Sequence, residues 1–183
     1  WAETYLRRSR WDDAEAIYRE LVAAGRQADG RSVGLATDLN GLGNVARNRG
    51  RLQQAEQLYG EALAVLEVLA PNSLITATTL NGLGAVLRDS DDGARAEAYH
   101  RRAEALCHAL APQSLLMANI QQSLGNLLIR RSEIAAAERA YGQALALYER
   151  LAPDSLGIAT SLTGLAVGAR RLRRVRHIDE PLL

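Results

Sequence analysis

The chain has 183 residues, enough to bury a substantial core, and it is 48% hydrophobic yet only 4% aromatic, with no Phe. A formal net charge of +1 supplies no bulk field for nucleic acid or an anionic membrane, and no apolar run approaches the roughly 18 residues of a membrane span. The single cysteine excludes an internal disulfide, which fits a reducing, cytoplasmic compartment. All basic residues are Arg, for which a GC-rich coding bias accounts, and the apolar content is mostly Ala and Leu. Both are strong helix formers, so helix throughout is the expectation.

In chain order the first segment, about 1–27, reads as one helix carrying Ala14-Glu15 and Tyr18. The chain starts at Trp1 without Met, so it reads as a fragment whose first unit is cut mid-helix. A unit of two helices follows over about 32–69, opening at Ser32, a residue suited to N-capping. Its first helix carries Asn40-Gly41-Leu42-Gly43, Asn48-Arg49-Gly50-Arg51 makes a turn, and Ala55-Glu56 with Tyr59 marks its second. Leu69-Ala70-Pro71 then blocks continuation, and Ser73 opens the next unit, about 73–110.

The same punctuation returns every 41 residues: Leu110-Ala111-Pro112 with Ser114, then Leu151-Ala152-Pro153 with Ser155. Asn81-Gly82-Leu83-Gly84, Gln122-Ser123-Leu124-Gly125 and Thr163-Gly164-Leu165-Ala166 repeat the first-helix motif. Ala96-Glu97 with His100 and Ala137-Glu138 with Tyr141 repeat the second. Units at about 114–151 and 155–171 complete the series. No helix of this kind buries its apolar stripe alone, so the units must stack. An interior Gly costs about 1 kcal/mol against Ala, so Gly43, Gly84 and Gly125 read as packing positions. With the small Ala55, Ala96 and Ala137 they let paired helices approach, the ring of Tyr59 or Tyr141 filling the space towards the following hairpin.

Two departures carry expectations of their own. Gly93 stands where neighbouring units have Leu52 and Ile134, which predicts a late or loose start for that second helix. Residues 172–183 break the pattern and read as an irregular basic tail or improvised cap, with five Arg between Arg170 and Arg176.

The motifs Leu39-x-x-Leu42-Gly43 and Ala55-x-x-x-Tyr59 resemble the tetratricopeptide repeat. The period is 41 rather than 34, and the seven extra residues amount to nearly two helical turns, which keeps the stripe in phase. With Leu-Ala-Pro-x-Ser-Leu, the long period is similar to kinesin light chain repeats, and more so to bacterial arrays beside caspase-like or nucleotide-binding signalling domains. The resemblance implies an all-α, right-handed α-solenoid of antiparallel helix pairs, about four and a half repeats long. It implies a non-enzymatic protein-binding scaffold without cofactor, its first helices lining a concave groove for an extended, mildly acidic peptide or a partner helix. Alternatively the array is a regulatory segment of a larger signalling protein, or it self-associates through exposed terminal helices.

Carried onto this chain, the groove rows are Thr37, Thr78, Asn119 and Thr160; then Asn40, Asn81, Gln122 and Thr163; then Asn44 and Asn126. Arg47, Arg88 and Arg170, with the flanking Arg130 and Arg171, form a basic rim. Amides can both donate to and accept from a peptide backbone, and guanidinium forks suit carboxylates. Other chemistry is poorly supplied. Cys107 and His108 are adjacent on a helix and point about 100° apart, and Cys107 sits where other units have Leu66 and Tyr148, the place of a small buried thiol. Asp89, Asp91 and Asp92 are similar to a calcium loop, but the closing Glu would be His100.

Overall fold

A computed structural model describes residues 2–28 and 30–179, with side chains over 10–28 and 30–173. It contains eight α-helices and no strand among the described residues: α1 (Ala2–Ala28), α2 (Val33–Asn48), α3 (Leu52–Leu69), α4 (Leu74–Asp89), α5 (Gly93–Leu110), α6 (Leu115–Arg130), α7 (Ile134–Leu151) and α8 (Leu156–Asp179). The starts of α2, α4, α6 and α8 and of α3, α5 and α7 each recur 41 residues apart, as the motif spacing requires. The chain divides into two compact units, one ending at Tyr99 and one beginning at His100.

Local chemistry fixes each helix end. Ser32, Ser73 and Ser114 adopt extended backbone and accept from the amide three residues on, that of Leu35, Thr76 and Met117, at 3.0, 3.3 and 3.2 Å. At the other end the amides of Arg51, Asp92 and Glu133 reach back five residues to the carbonyls of Ala46, Leu87 and Leu128 at 2.8–2.9 Å. This closure needs a left-handed residue just before it, supplied by Gly50 (φ 72°), Asp91 (φ 68°) and Ser132 (φ 62°). The Asp-rich turn is thereby a helix terminator.

In the first unit, α2 packs on α3, and α1 and α4 flank them around Leu39, Tyr59, Leu66 and Leu80, all essentially inaccessible. In the second, α6 packs on α7, and α8 lies against both around Ile120, Leu124 and Leu127. Tyr59 is the keystone of the first. A Cβ added to Gly43 would lie 3.1 Å from its ring, and one added to Gly82 2.6 Å away. Tyr141 is held likewise, 2.9 Å from such an atom on Gly125 and 2.3 Å from one on Gly164. Each ring thus packs on its own hairpin's first helix and on the next one.

Charge pins α1. The Glu15 carboxylate is buried and takes both Arg51 guanidinium nitrogens at 3.0 and 2.6 Å, with Arg49 at 2.9 Å and Arg19 at 2.6 Å; Arg49 also meets Asp12. The Arg51 hydrogen bonds lead in holding Glu15 below the usual carboxylate range.

Two expectations fail. α5 begins at Gly93, in register with α3 and α7, because Asp92 supplies the cap: its carboxylate accepts from the Arg95 amide at 3.2 Å. The stretch 172–179 is helical rather than irregular, since it carries three Arg and a Leu and holds neither Gly nor Pro. Residues 180–183, the rest of that expected tail, lie outside the described residues.

Gly82→Ala should destabilise the chain by about 1–3 kcal/mol, as overpacking against a buried ring does. Gly60→Ala, mid-helix with nothing within 4 Å of the added carbon, should stabilise it by up to about 1 kcal/mol. Urea midpoints of the two variants should move in opposite directions. A depressed Glu15 pKa stabilises the fold above the ordinary carboxylate range and loses that contribution as pH falls through the folded value. Protection of the α1 amides, relative to their intrinsic exchange at each pH, should therefore fall in acid, and Glu15→Gln should flatten that pH dependence.

Candidate functional site

The first helices α2, α4, α6 and α8 present the residues assigned to the groove. Thr37, Thr78 and Thr160 are exposed, and each hydroxyl donates to the carbonyl four residues back at 2.8–2.9 Å. Asn119 and Asn44 are exposed; Asn81, Gln122 and Asn126 are half-buried; Asn40 is only 4% exposed. Arg47 and Arg88 are half-buried, Arg130 and Arg170 exposed. The Arg88 guanidinium pairs with Asp89 at 2.7 Å.

The amides are engaged by the repeat itself. Asn40 Nδ2 donates to Thr79 Oγ1 at 2.7 Å, bridging α2 to α4. Gln122 Nε2 donates to Ser161 Oγ at 3.0 Å and to the Gly157 carbonyl at 3.0 Å, bridging α6 to α8. Both amide–hydroxyl pairs span 39 residues, so one rung recurs once in each compact unit. A second recurring element is a tyrosine hydroxyl donating to an asparagine oxygen: Tyr59 to Asn44 at 2.8 Å and Tyr141 to Asn126 at 2.7 Å. Tyr148 donates to Asn119 at 2.6 Å, its ring over Gly157.

These contacts correct the expected site. Asn40 is a buried strut, and Gln122 ties neighbouring first helices, so neither is a free peptide grip. Asn44, Asn119 and Asn126 remain at the surface with their oxygens occupied, which leaves the amide nitrogens as outward donors. Burial pushes the Tyr59 phenol up to about 12 against the opposing pull of Arg47, so it stays a neutral donor. Burial raises Tyr148 as well. Arg171 caps α6, donating to the Ile129 carbonyl at 2.6 Å.

Sequence reasoning missed Gly41, Gly82 and Gly164 as packing positions, although they stand in the same quoted motif as Gly43. It also missed a cleft of about 360 Å³ beside α6, lined by His108, Met117, Gln121, Leu147 and Arg150. Gln121 there is buried and donates to Glu104 at 2.8 Å. Cys107 is buried as expected, its sulfur near the Ala111 carbonyl and Ser114 Oγ. Among the described residues no His, Cys, Asp and Glu side chains cluster as a metal site, and no helix is long and apolar enough to cross a membrane.

Antiparallel helix pairs joined by left-handed turns, with a ring shared between successive pairs, define a helical-hairpin repeat protein. The tetratricopeptide repeat family model matches residues 1–68, 35–109 and 75–150, and the chain belongs to that family. Comparison with solved structures gives the same fold. BtubC (BKLC) from P. vanneervenii is 22% identical with a TM-score of 0.75, over 100% of this chain and 80% of that one. A putative kinesin light chain from Podosopora anserina, with nearly identical TPR-like repeats, is 14% identical at 0.69, over 96% and 85%. The Sgt2 TPR domain from Aspergillus fumigatus is 20% identical at 0.63, over 84% and 91%. A comparison with curated proteins finds no match.

Tyr59→Phe should lower stability by about 0.5–1.5 kcal/mol, the worth of one hydrogen bond with its partner able to rehydrate. A urea titration monitored by circular dichroism measures it, with Tyr141→Phe expected to behave alike.

Proposed function

We infer that this chain, as a tetratricopeptide repeat array, is a protein–protein interaction scaffold. We propose that this chain is non-catalytic and binds an extended, acidic peptide segment of a partner protein along the exposed side of its first helices. The observation that carries this reading is the recurring Tyr–Asn pair. In both compact units a buried phenol holds the side-chain oxygen of an asparagine on a first helix, which leaves the amide nitrogen to donate. Such a donor is preorganised for a peptide carbonyl, so little side-chain entropy is lost on binding. Arg47, one helical turn beyond Asn44, and the exposed Arg170 add guanidinium groups for carboxylates. The exposed Thr37, Thr78 and Thr160 keep that side short and open, since their hydroxyls are turned back onto the helix.

Fluorescence anisotropy with a labelled Glu- and Pro-rich peptide, which stays extended in solution, tests the reading. Saturable binding should weaken at least about tenfold in Arg47→Glu/Arg170→Glu, because charge reversal opposes the acidic ligand. A Lys- and Pro-rich peptide should not bind. No saturable binding, or binding indifferent to both Arg changes, would refute the proposal.

A further inference from the structure

Each first helix with a second helix of its own buries one stripe: Ala36, Leu39, Gly43 and Ala46 in α2, and the corresponding positions of α6. α8 carries that stripe as Ala159, Leu162, Ala166 and Ala169, and every member is exposed, Leu162 to 50%. α1 is in the converse state. Leu58 and Ala62 of α3 are buried, as are Ala140 and Ala144 of α7, whereas the matching Ile17 and Leu21 of α1 are 58% and 43% exposed. Among the described residues, then, α8 is a first helix without its second and α1 a second helix without its first.

Their lengths fit the same picture. α2, α4 and α6 stop at the position equivalent to Arg171, but α8 runs on over residues 172–179. α3, α5 and α7 start at the position equivalent to Trp11, but α1 already runs over residues 2–10. Neither helix meets a turn where a covalent hairpin would have one.

We propose that the chain associates head to tail, with α8 of one copy pairing antiparallel with α1 of the next to complete a hairpin from two molecules. Leu162 and Leu21 take the places of Leu39 and Ala62, and the two helical overhangs lie side by side. The pair is bulkier than an internal hairpin at two positions, Leu21 for Ala62 and Ala166 for Gly43, so these helices meet at a wider spacing. Exposed Asp13 and exposed Arg170 fall at the same end of the pair and have opposite charge. The contact is heterologous, using two different faces, so each contact leaves one face of each kind free for a further copy.

Sedimentation velocity of the 183-residue chain should show mass rising continuously with concentration. Leu162→Glu and Leu21→Glu, both at exposed positions, should each keep their helical circular dichroism and weaken association at least about tenfold, a fraction of the worth of a buried Leu. Mixed in equal amounts, the two variants retain one intact pair of faces and should form a 1:1 heterodimer that grows no further. If either change unfolds the chain, Ala166→Arg and Ile17→Glu replace them in the same design. A wild-type monomer throughout, association surviving either change, or a mixture that stays monomeric would each overturn the proposal. Peptide binding by the first helices is read separately, by anisotropy on the monomeric Leu162→Glu chain.

Discussion

The ring of Tyr59, pressed between Gly43 of its own hairpin and Gly82 of the next, sets the geometry on which the rest of the first unit depends. A methyl group at either glycine would intrude on the ring, so the separation of three helices is fixed at once by one side chain. Tyr141 with Gly125 and Gly164 imposes the same condition in the second unit. Within each unit a ring shared by two hairpins couples one repeat to its neighbour, and nearest-neighbour coupling is what stabilises a repeat array whose hairpins cannot bury their stripes alone. It also explains the strict 41-residue period. An insertion between Tyr59 and Gly82 would have to return the second glycine to the same place against the ring.

Close approach brings polar groups within reach of each other, and the repeat uses this twice. Asn40–Thr79 and Gln122–Ser161 are amide–hydroxyl rungs between adjacent first helices; each amide nitrogen is satisfied, which offsets part of the cost of burial, while the Asn40 Oδ1 has no partner. The Tyr hydroxyls, carried towards the surface by rings that cannot shift, meet Asn44 and Asn126. A single packing constraint thereby decides which amides are structural and which are oriented outward. The proposed recognition surface is a by-product of the core.

Much of this was legible in the sequence. The period, the Ser caps, the Pro stops and the helix limits are local signals, and local signals survive without knowledge of neighbours. The role of Asn40 was not legible, because helical phase tells which way a side chain leaves its helix but not how near the next helix lies. The recurrence of an amide and a hydroxyl 39 residues apart, in Asn40 with Thr79 and Gln122 with Ser161, was the available clue. The tail was misread because departure from a repeat pattern is not departure from helix: Arg propagates a helix whatever the register, and residues 172–179 hold neither Gly nor Pro. Gly93 was misjudged for the opposite reason, since a weak first residue matters little when Asp92 caps it.

The internal repeat also supplies its own control for the effect of polarity in the core. Leu63 and Leu80 are buried in the first unit, and the second unit has Glu104 and Gln121 at the equivalent positions. Both members of the pair changed together, and their side chains hydrogen-bond at 2.8 Å, so Gln121 is not left unsatisfied. The cleft of about 360 Å³ borders Gln121. Equivalent positions in one chain thus hold an apolar pair in the first unit and a hydrogen-bonded polar pair in the second, with the helix limits unchanged. The residue equivalent to Tyr59 beside this polar pair is His100, which is buried, so the ring position is kept where the Leu pair is not.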